Sequence, residues 1–252
     1  MERWAGKVAV VTGASSGIGE AVVRDLVSRG IKVAALARRI DRLKKLESEL
    51  SGKGTIVGLQ CDVGVEEDIN KAFEWIEKNW GAVHIMINNA GYFVDVSVSE
   101  LDSTKLKQMF DTNIVGLTIC MSRALKSMMD HKILDGHVIN INSVAGHGII
   151  PFKGVGIYSA TKYGVTAITE YVRREMGEKK YRTKVTSISP GLVKTEMTQG
   201  FMTKVPAEIP YLVSEDVSNA VVFALSTPPN VNISELTIQP VGEGANPDET
   251  SK

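Results

Sequence analysis

Several things are scarce in this 252-residue sequence, and each shortage removes a class of answers. Its two cysteines, Cys61 and Cys120, sit in apolar stretches where a thiol acts as a small hydrophobe, so no disulfide framework is expected. A reduced, cytoplasmic setting is the expectation. Surplus charge is absent, because 29 Lys+Arg balance 29 Asp+Glu. Nucleic-acid backbones are bound by excess basic charge, so no such partner is expected, although zero net charge leaves a local basic patch open. Long apolar runs are missing too. The stretch from Ile114 to Met121 falls far short of the ~20 residues that span a bilayer, so no membrane span is expected. The start, Met1-Glu2-Arg3-Trp4, leads into a short apolar stretch without the h-region and cleavage site of a signal peptide. Residues 244–252 carry no lipidation or retention signal and read as a flexible polar tail. The histidines His84, His131, His137 and His147 lack metal-ligand spacing, so no metal is expected. They read as surface or loop residues, with His147 alone near a pocket.

What the sequence does have is an alternation of short β-branched runs with longer segments of helical period. The runs are Val8–Val11, Lys32–Ala37, Thr55–Gln60, Val83–Ile87, His137–Ile141, Lys184–Ile188 and Glu235–Ile238. Strands this apolar on both faces suit a parallel sheet covered on each side. Between them, Ile18, Val22 and Leu26 mark a first helix that Gly30 would stop, and similar patterns cover roughly 40–50, 65–80, 102–130, 157–179 and 214–226. The expected fold is a single α/β domain with a doubly wound, parallel, seven-stranded sheet. One segment breaks the rhythm. From about 190 to 214 the chain holds Pro190, Pro206 and Pro210 and no clean period, as a functional loop beyond a strand's carboxyl end would.

Three local patterns carry chemistry. Thr12-Gly13-Ala14-Ser15-Ser16-Gly17-Ile18-Gly19 joins the first strand to the first helix. Glycines there permit a tight turn and close backbone approach to a pyrophosphate at the helix N-terminus. No Gly-Lys-Ser/Thr follows, which excludes a Walker nucleotide loop. The second strand ends in Arg38-Arg39 with no acid before Asp41, a pattern that accommodates a ribose 2′-phosphate and so favours NADP(H). Read blandly, the same pair is a solvated helix start. Tyr158-Ser159-Ala160-Thr161-Lys162 puts a phenol and an ammonium on one helix face. A phenol useful as a base near pH 7 needs its pKa lowered by about three units, roughly 4 kcal/mol, and an ammonium supplies that only when nearly in contact.

With the glycine turn, this string resembles the single-domain branch of the short-chain dehydrogenase/reductase family, a Rossmann-like fold, from Thr12 to about Pro240. Asp62-Val63 is similar to the pair that contacts adenine, and Asn88-Asn89-Ala90-Gly91 to a turn bordering the cofactor. Pro190-Gly191, Val193 and Thr195 are similar to the segment over the nicotinamide and phosphates. The resemblance implies cofactor contacts from Gly13, Ser15, Ser16, Gly17, Ile18, Gly19, Arg38, Arg39, Asp62, Val63, Asn89, Ala90, Gly91, Tyr158, Lys162, Pro190, Gly191, Val193 and Thr195. It also implies a catalytic set. Tyr158 would be the general acid/base and Ser143 a hydrogen-bond partner of the substrate oxygen. Lys162 would hold the ribose and lower the Tyr158 pKa, and Asn113 would position a proton-relay water. Asn142 departs from the family, where many members have a second serine, and the stretch from Gly146 to Ile157 is slightly longer than usual.

Apolar residues flank these motifs: Tyr92, Phe93 and Val94; Ile149, Ile150, Pro151 and Phe152; Met197, Phe201 and Met202. Such walls suit a small lipophilic alcohol or carbonyl compound. Gly146-His147 after Ser143-Val144-Ala145, with the Tyr-Ser-Ala-Thr-Lys-Tyr string, is most similar to animal members acting on farnesol or ketosteroids. Homodimers or homotetramers built on the segments 102–130 and 157–179 are implied in the same way. A non-catalytic NADP(H)-binding sensor on the same fold is the alternative, and an epimerase or dehydratase of the longer branch would need a C-terminal substrate domain. Tyr163, turned from the Tyr158 face, reads as a packing residue, and Met121, Met128 and Met129 as core or interface fillers.

Overall fold

The seven β-branched runs form one parallel sheet in the computed structural model, which describes residues 1–95, 97–150, 155–206 and 208–242. Its strands are β1 (Val8–Thr12), β2 (Lys32–Ala37), β3 (Ile56–Gln60), β4 (Ile85–Asn88), β5 (His137–Ile141), β6 (Lys184–Pro190) and β7 (Glu235–Ile238). They lie in the order β3-β2-β1-β4-β5-β6-β7. β6 runs two residues beyond its sequence-based limit, because Ser189 and Pro190 stay in register with Thr237 and Ile238 of β7.

Alternation along each strand feeds two cores. On β1, Ala9 and Val11 join Val22, Leu26 and Val221 on one side, while Val8 and Val10 join Phe73, Leu125 and Val165 on the other. The first layer belongs to α1 (Gly17–Ser28), α2 (Ile40–Glu49) and, past the loop after β6, the helix Ser214–Ser226. The second belongs to α3 (Glu66–Trp80), α5 (Leu117–Asp130) and α6 (Gly156–Glu178), with α4 (Ser103–Phe110) set against α6. Burial on both faces is what the unbroken apolar runs encode. The chain leaves β1 toward β2 and β3, then returns to β4 on the other flank. A crevice therefore opens above the carboxyl ends of β1 and β4, where ligands of such sheets bind.

Three expectations need correcting. The segment 102–130 is not one α-helix, because a π-helical turn at Asp111–Gly116 separates α4 from α5. A Cβ on Gly116 would overlap the Val63 carbonyl, so this turn passes against the β3–α3 connection. The loop after β6 is partly ordered by α7 (Gln199–Met202) and by a parallel bridge between Val193 and Leu212. His137 is neither surface nor loop. It is fully buried on β5, its Nε2 2.8 Å from the Thr186 hydroxyl and its Nδ1 without a partner. Burial, then the charges of Lys184 and Arg3, push its pKa down to about 3. Among the described residues no helix is long and apolar enough to cross a membrane.

Candidate active site

The crevice begins at the β1–α1 turn. Gly13 adopts φ +65°, and a Cβ there would lie 2.8 Å from Ala90 Cα. A Cβ on Gly19 would overlap the Gly13 carbonyl oxygen, so only glycine lets α1 start this close to the sheet. Thr12 Oγ1 accepts from the N–H groups of Asn89 and Ala90, each at 3.0 Å. The Asn89 amide donates to the carbonyls of Thr12 at 2.9 Å and Gly13 at 3.3 Å. These bonds weld the glycine turn and the Asn-Asn-Ala-Gly turn into one unit. Asn89 thus acts mainly by shaping the turn.

A cavity of about 1950 Å³ runs from this turn across the strand ends. Gly13, Ser15, Ser16, Gly17 and Ile18 line one end, with Arg38, Arg39, Asp62 and Val63 beside them. Asn89, Ala90 and Gly91 line it too, as do Pro190, Gly191, Val193 and Thr195, and Thr195 comes against Gly17 of the turn. Gly19 and Asn113 are not on its surface. Arg39 donates to Ser15 Oγ at 3.1 and 3.2 Å and to Ser16 Oγ at 2.7 Å, while Arg38 Nη1 lies 3.9 Å from Asp62 Oδ2. Two guanidiniums therefore stand beside the helix N-terminus, both at least half as exposed as a free side chain or nearly so (59% and 42%), and reachable by an anion.

Ser143 and Tyr158 meet at the inner end of the same cavity. Ser143 ends the segment after β5, and its Oγ accepts the Ala145 N–H at 3.1 Å, which fixes the turn. The Tyr158 phenol lines the same cavity, near enough to Ser143 for that side chain to act on its pKa. Burial raises the phenol well above its ordinary pKa, and Ser143 opposes that rise. Lys162, one turn along α6, is 5% exposed, and its Nζ donates to the Ile141 carbonyl at 2.9 Å. Burial brings its pKa down to about 8. Nζ stands 5.6 Å from the Tyr158 ring centroid. The lowered phenol pKa expected from the sequence is therefore not what these side chains alone produce, since desolvation dominates.

Asn113 lies behind the cavity, not on it. Its Oδ1 accepts the Tyr92 N–H at 2.7 Å, and its Nδ2 donates to the Tyr92 carbonyl at 2.9 Å and to Thr161 Oγ1 at 3.1 Å. Both ends of the amide are thus committed to holding the residue-92 segment against α6. Asn142 donates to Thr166 Oγ1 at 2.9 Å and ties the end of β5 to α6 by a reach that serine lacks.

The apolar wall is as expected for Tyr92, Phe93, Ile149, Ile150, Met197 and Phe201, whereas Val94 and Met202 do not line the cavity. Pro151 and Phe152 lie outside the described residues, as does the tail 244–252. Leu192, Glu196, Pro206, Glu208, Ile209 and Pro210 complete the loop side, and Gln239, Val241 and Gly242 come from beyond β7. The prolines of the loop were a signal for the first group. The second had none, because it depends on where an edge strand ends. Glu196 accepts from Arg39 and Arg42, and those hydrogen bonds pull its carboxyl down to about 2. Tyr163 is 42% exposed on α6, so it does not pack into the core, whereas Met121 and Met128 do. His147 is not on the cavity surface; its Nε2 lies 3.0 Å from Ser189 Oγ and 3.4 Å from Glu235 Oε2.

Comparison with known proteins agrees with this geometry. Residues 7–205 match the family described as short chain dehydrogenase. The chain is 46% identical to farnesol dehydrogenase of Aedes aegypti, over 96% of this chain and 99% of that protein. It is 41% identical to dehydrogenase/reductase SDR family member 11 of Mus musculus, over 95% and 96% of the two chains. Among solved structures, the closed form of serine dehydrogenase complexed with NADP+ superposes with a TM-score of 0.82 at 32% identity, covering 92% of this chain and 94% of that one.

Proposed function

Because the chain belongs to the short-chain dehydrogenase family, as an oxidoreductase of that type, we propose that it interconverts a lipophilic alcohol and its aldehyde or ketone with NADP(H), using Tyr158 as general acid/base. The observation that carries the reading is that Ser143, Tyr158 and Lys162 line one cavity with the glycine turn and two arginines. The cradle fits a dinucleotide, since Gly13, Ser15, Ser16 and Gly17 line the cavity where α1 begins, and Arg38 and Arg39 fit a 2′-phosphate. When bound, the nicotinamide supplies or receives the hydride.

The residues of the chain supply binding and proton movement. Burial keeps the Tyr158 phenol protonated at neutral pH, so its resting role is to donate to a carbonyl oxygen. Ser143 can hydrogen-bond the same oxygen and stabilise charge building there. Lys162, charged below about pH 8, sits where its field favours the phenolate left after donation. Asn113 is a positioning residue for the wall at Tyr92. Apolar residues from Phe93, Ile149, Ile150, Met197, Phe201 and Ile209 exclude water and favour a terpenoid or steroid over a sugar. Farnesol dehydrogenase activity in the Aedes aegypti relative supports the terpenoid choice.

Two further parts of the reading concern setting. Two buried free thiols suit a reducing cytoplasm. Exposed Phe110, Val115, Tyr163 and Tyr171 on or beside α4 to α6 suit pairing with a second copy, which light scattering would test.

The decisive experiment is Tyr158→Phe, assayed with farnesol, ketosteroids and sugars. Turnover should fall about a hundredfold or more while NADP(H) still binds. Unchanged turnover would overturn the reading, and binding without turnover in the parent protein would mark a sensor instead. Activity confined to sugars would remove the lipophilic substrate.

A further inference from the structure

Glu196 lies on the loop after β6, and its carboxylate reaches the start of α2. Oε2 lies 2.7 Å from Arg39 Nη1, and Oε1 lies 2.6 Å from Arg42 Nη1. These partners are 157 and 154 residues away in sequence, at and just inside the start of α2. Arg39 also donates to Ser15 and Ser16. One guanidinium thus joins the glycine turn, the end of β2 and the loop after β6, and all three line one cavity.

We infer that Glu196 is an internal competitor for the cofactor's 2′-phosphate: it occupies the guanidinium that a phosphate would take, and so sets how strongly the site prefers NADP(H) over NAD(H). The inference rests on the proposed position of the dinucleotide ribose at the end of β2. A carboxylate and a phosphate are both acceptors of the guanidinium fork. Two anions side by side repel, so the phosphate gains Arg39 only as Glu196 lets go. NAD(H) brings a hydroxyl there and leaves the ion pair closed. The Arg39, Arg42 and Glu196 side chains are 41–48% exposed, which makes the pair exchangeable rather than a permanent lock. Arg38 and Asp62 line the same cavity and face each other at 3.9 Å, and Asp41 lies in the first turn of α2.

Glu196→Gln keeps the size and removes the charge. NADP+, NAD+, adenosine 2′,5′-bisphosphate and AMP would be titrated against both full-length proteins by calorimetry, without turnover. The variant should bind the two 2′-phosphorylated ligands roughly three- to tenfold more tightly and the other two within about twofold, as two exposed ion pairs allow. A ratio that stays put or falls overturns the inference. The parent protein's own preference tests the cofactor reading separately. If it favours NAD+ and the variant still shifts toward NADP+, the competitor role stands while the NADP(H) proposal falls.

Discussion

The ring of Phe93 stands edge-on to that of Tyr158, with centroids 5.4 Å apart and planes at 89°. Such a contact is worth about 0.5–1.5 kcal/mol beyond burial and depends on orientation. It limits how the phenol can swing toward or away from Ser143. Phe93→Leu keeps the wall apolar and removes the edge-to-face contact. Its kcat should fall about two- to tenfold, with the dissociation constant for cofactor unchanged. Phe93→Tyr, which keeps the ring, should restore it. Steady-state kinetics beside direct titration separate the two quantities.

Phe93 is itself held from behind. Asn113 satisfies both backbone groups of Tyr92, the neighbouring residue, from the π-helical turn. Asn113→Ala should therefore lower unfolding stability by ~1–3 kcal/mol, because it strands a part-buried N–H and carbonyl. Urea denaturation measures it. A relay role alone would depress turnover and leave the unfolding midpoint where it was.

The sheet was legible because its strands are apolar on both faces, and the glycine turn because Gly13 and Gly19 face backbone that tolerates no side chain. The Tyr158 and Ser143 pair was legible from motif order. What could not be read is where amide groups point. Asn113 and Asn89 look like ligands in a motif, yet their hydrogen bonds are spent on the chain itself. Glu196 went unnoticed for a related reason, since its partners are brought near only by the fold. His137 was misread because a polar residue at a strand's start gives no sign of being fully buried in the sheet.

That histidine gives the fold a defined acid sensitivity. Its native pKa of about 3 lies below the ordinary 6.5, so between those values the unfolded chain holds a proton that the native state does not. Stability must then fall as pH drops through that window. Its share of the loss between pH 7 and pH 5 is about 2 kcal/mol. His137→Asn, which can still bond Thr186, should lose that much less over the same interval. Urea titrations of both proteins at the two pH values decide it, and parallel losses would refute the assignment.

Lys162 predicts the alkaline side of the activity profile. Its ammonium is buried and donates to the Ile141 carbonyl, its one acceptor among the described residues, and its pKa of about 8 reflects that desolvation. Tyr158 is raised and remains a donor across the same range, so it does not set this limb. As pH rises through about 8 the ammonium loses its charge, and with it the field that stabilises the phenolate formed on donation. For carbonyl reduction, kcat/KM should be level from pH 6 to about 7.5 and then fall with a one-proton slope, since this quantity reports groups of the free enzyme. A guanidinium stays charged at any assayable pH, so Lys162→Arg should retain less activity overall but lose the alkaline limb. A parent profile still level at pH 9.5 would show that the ammonium's charge is not what the phenol depends on.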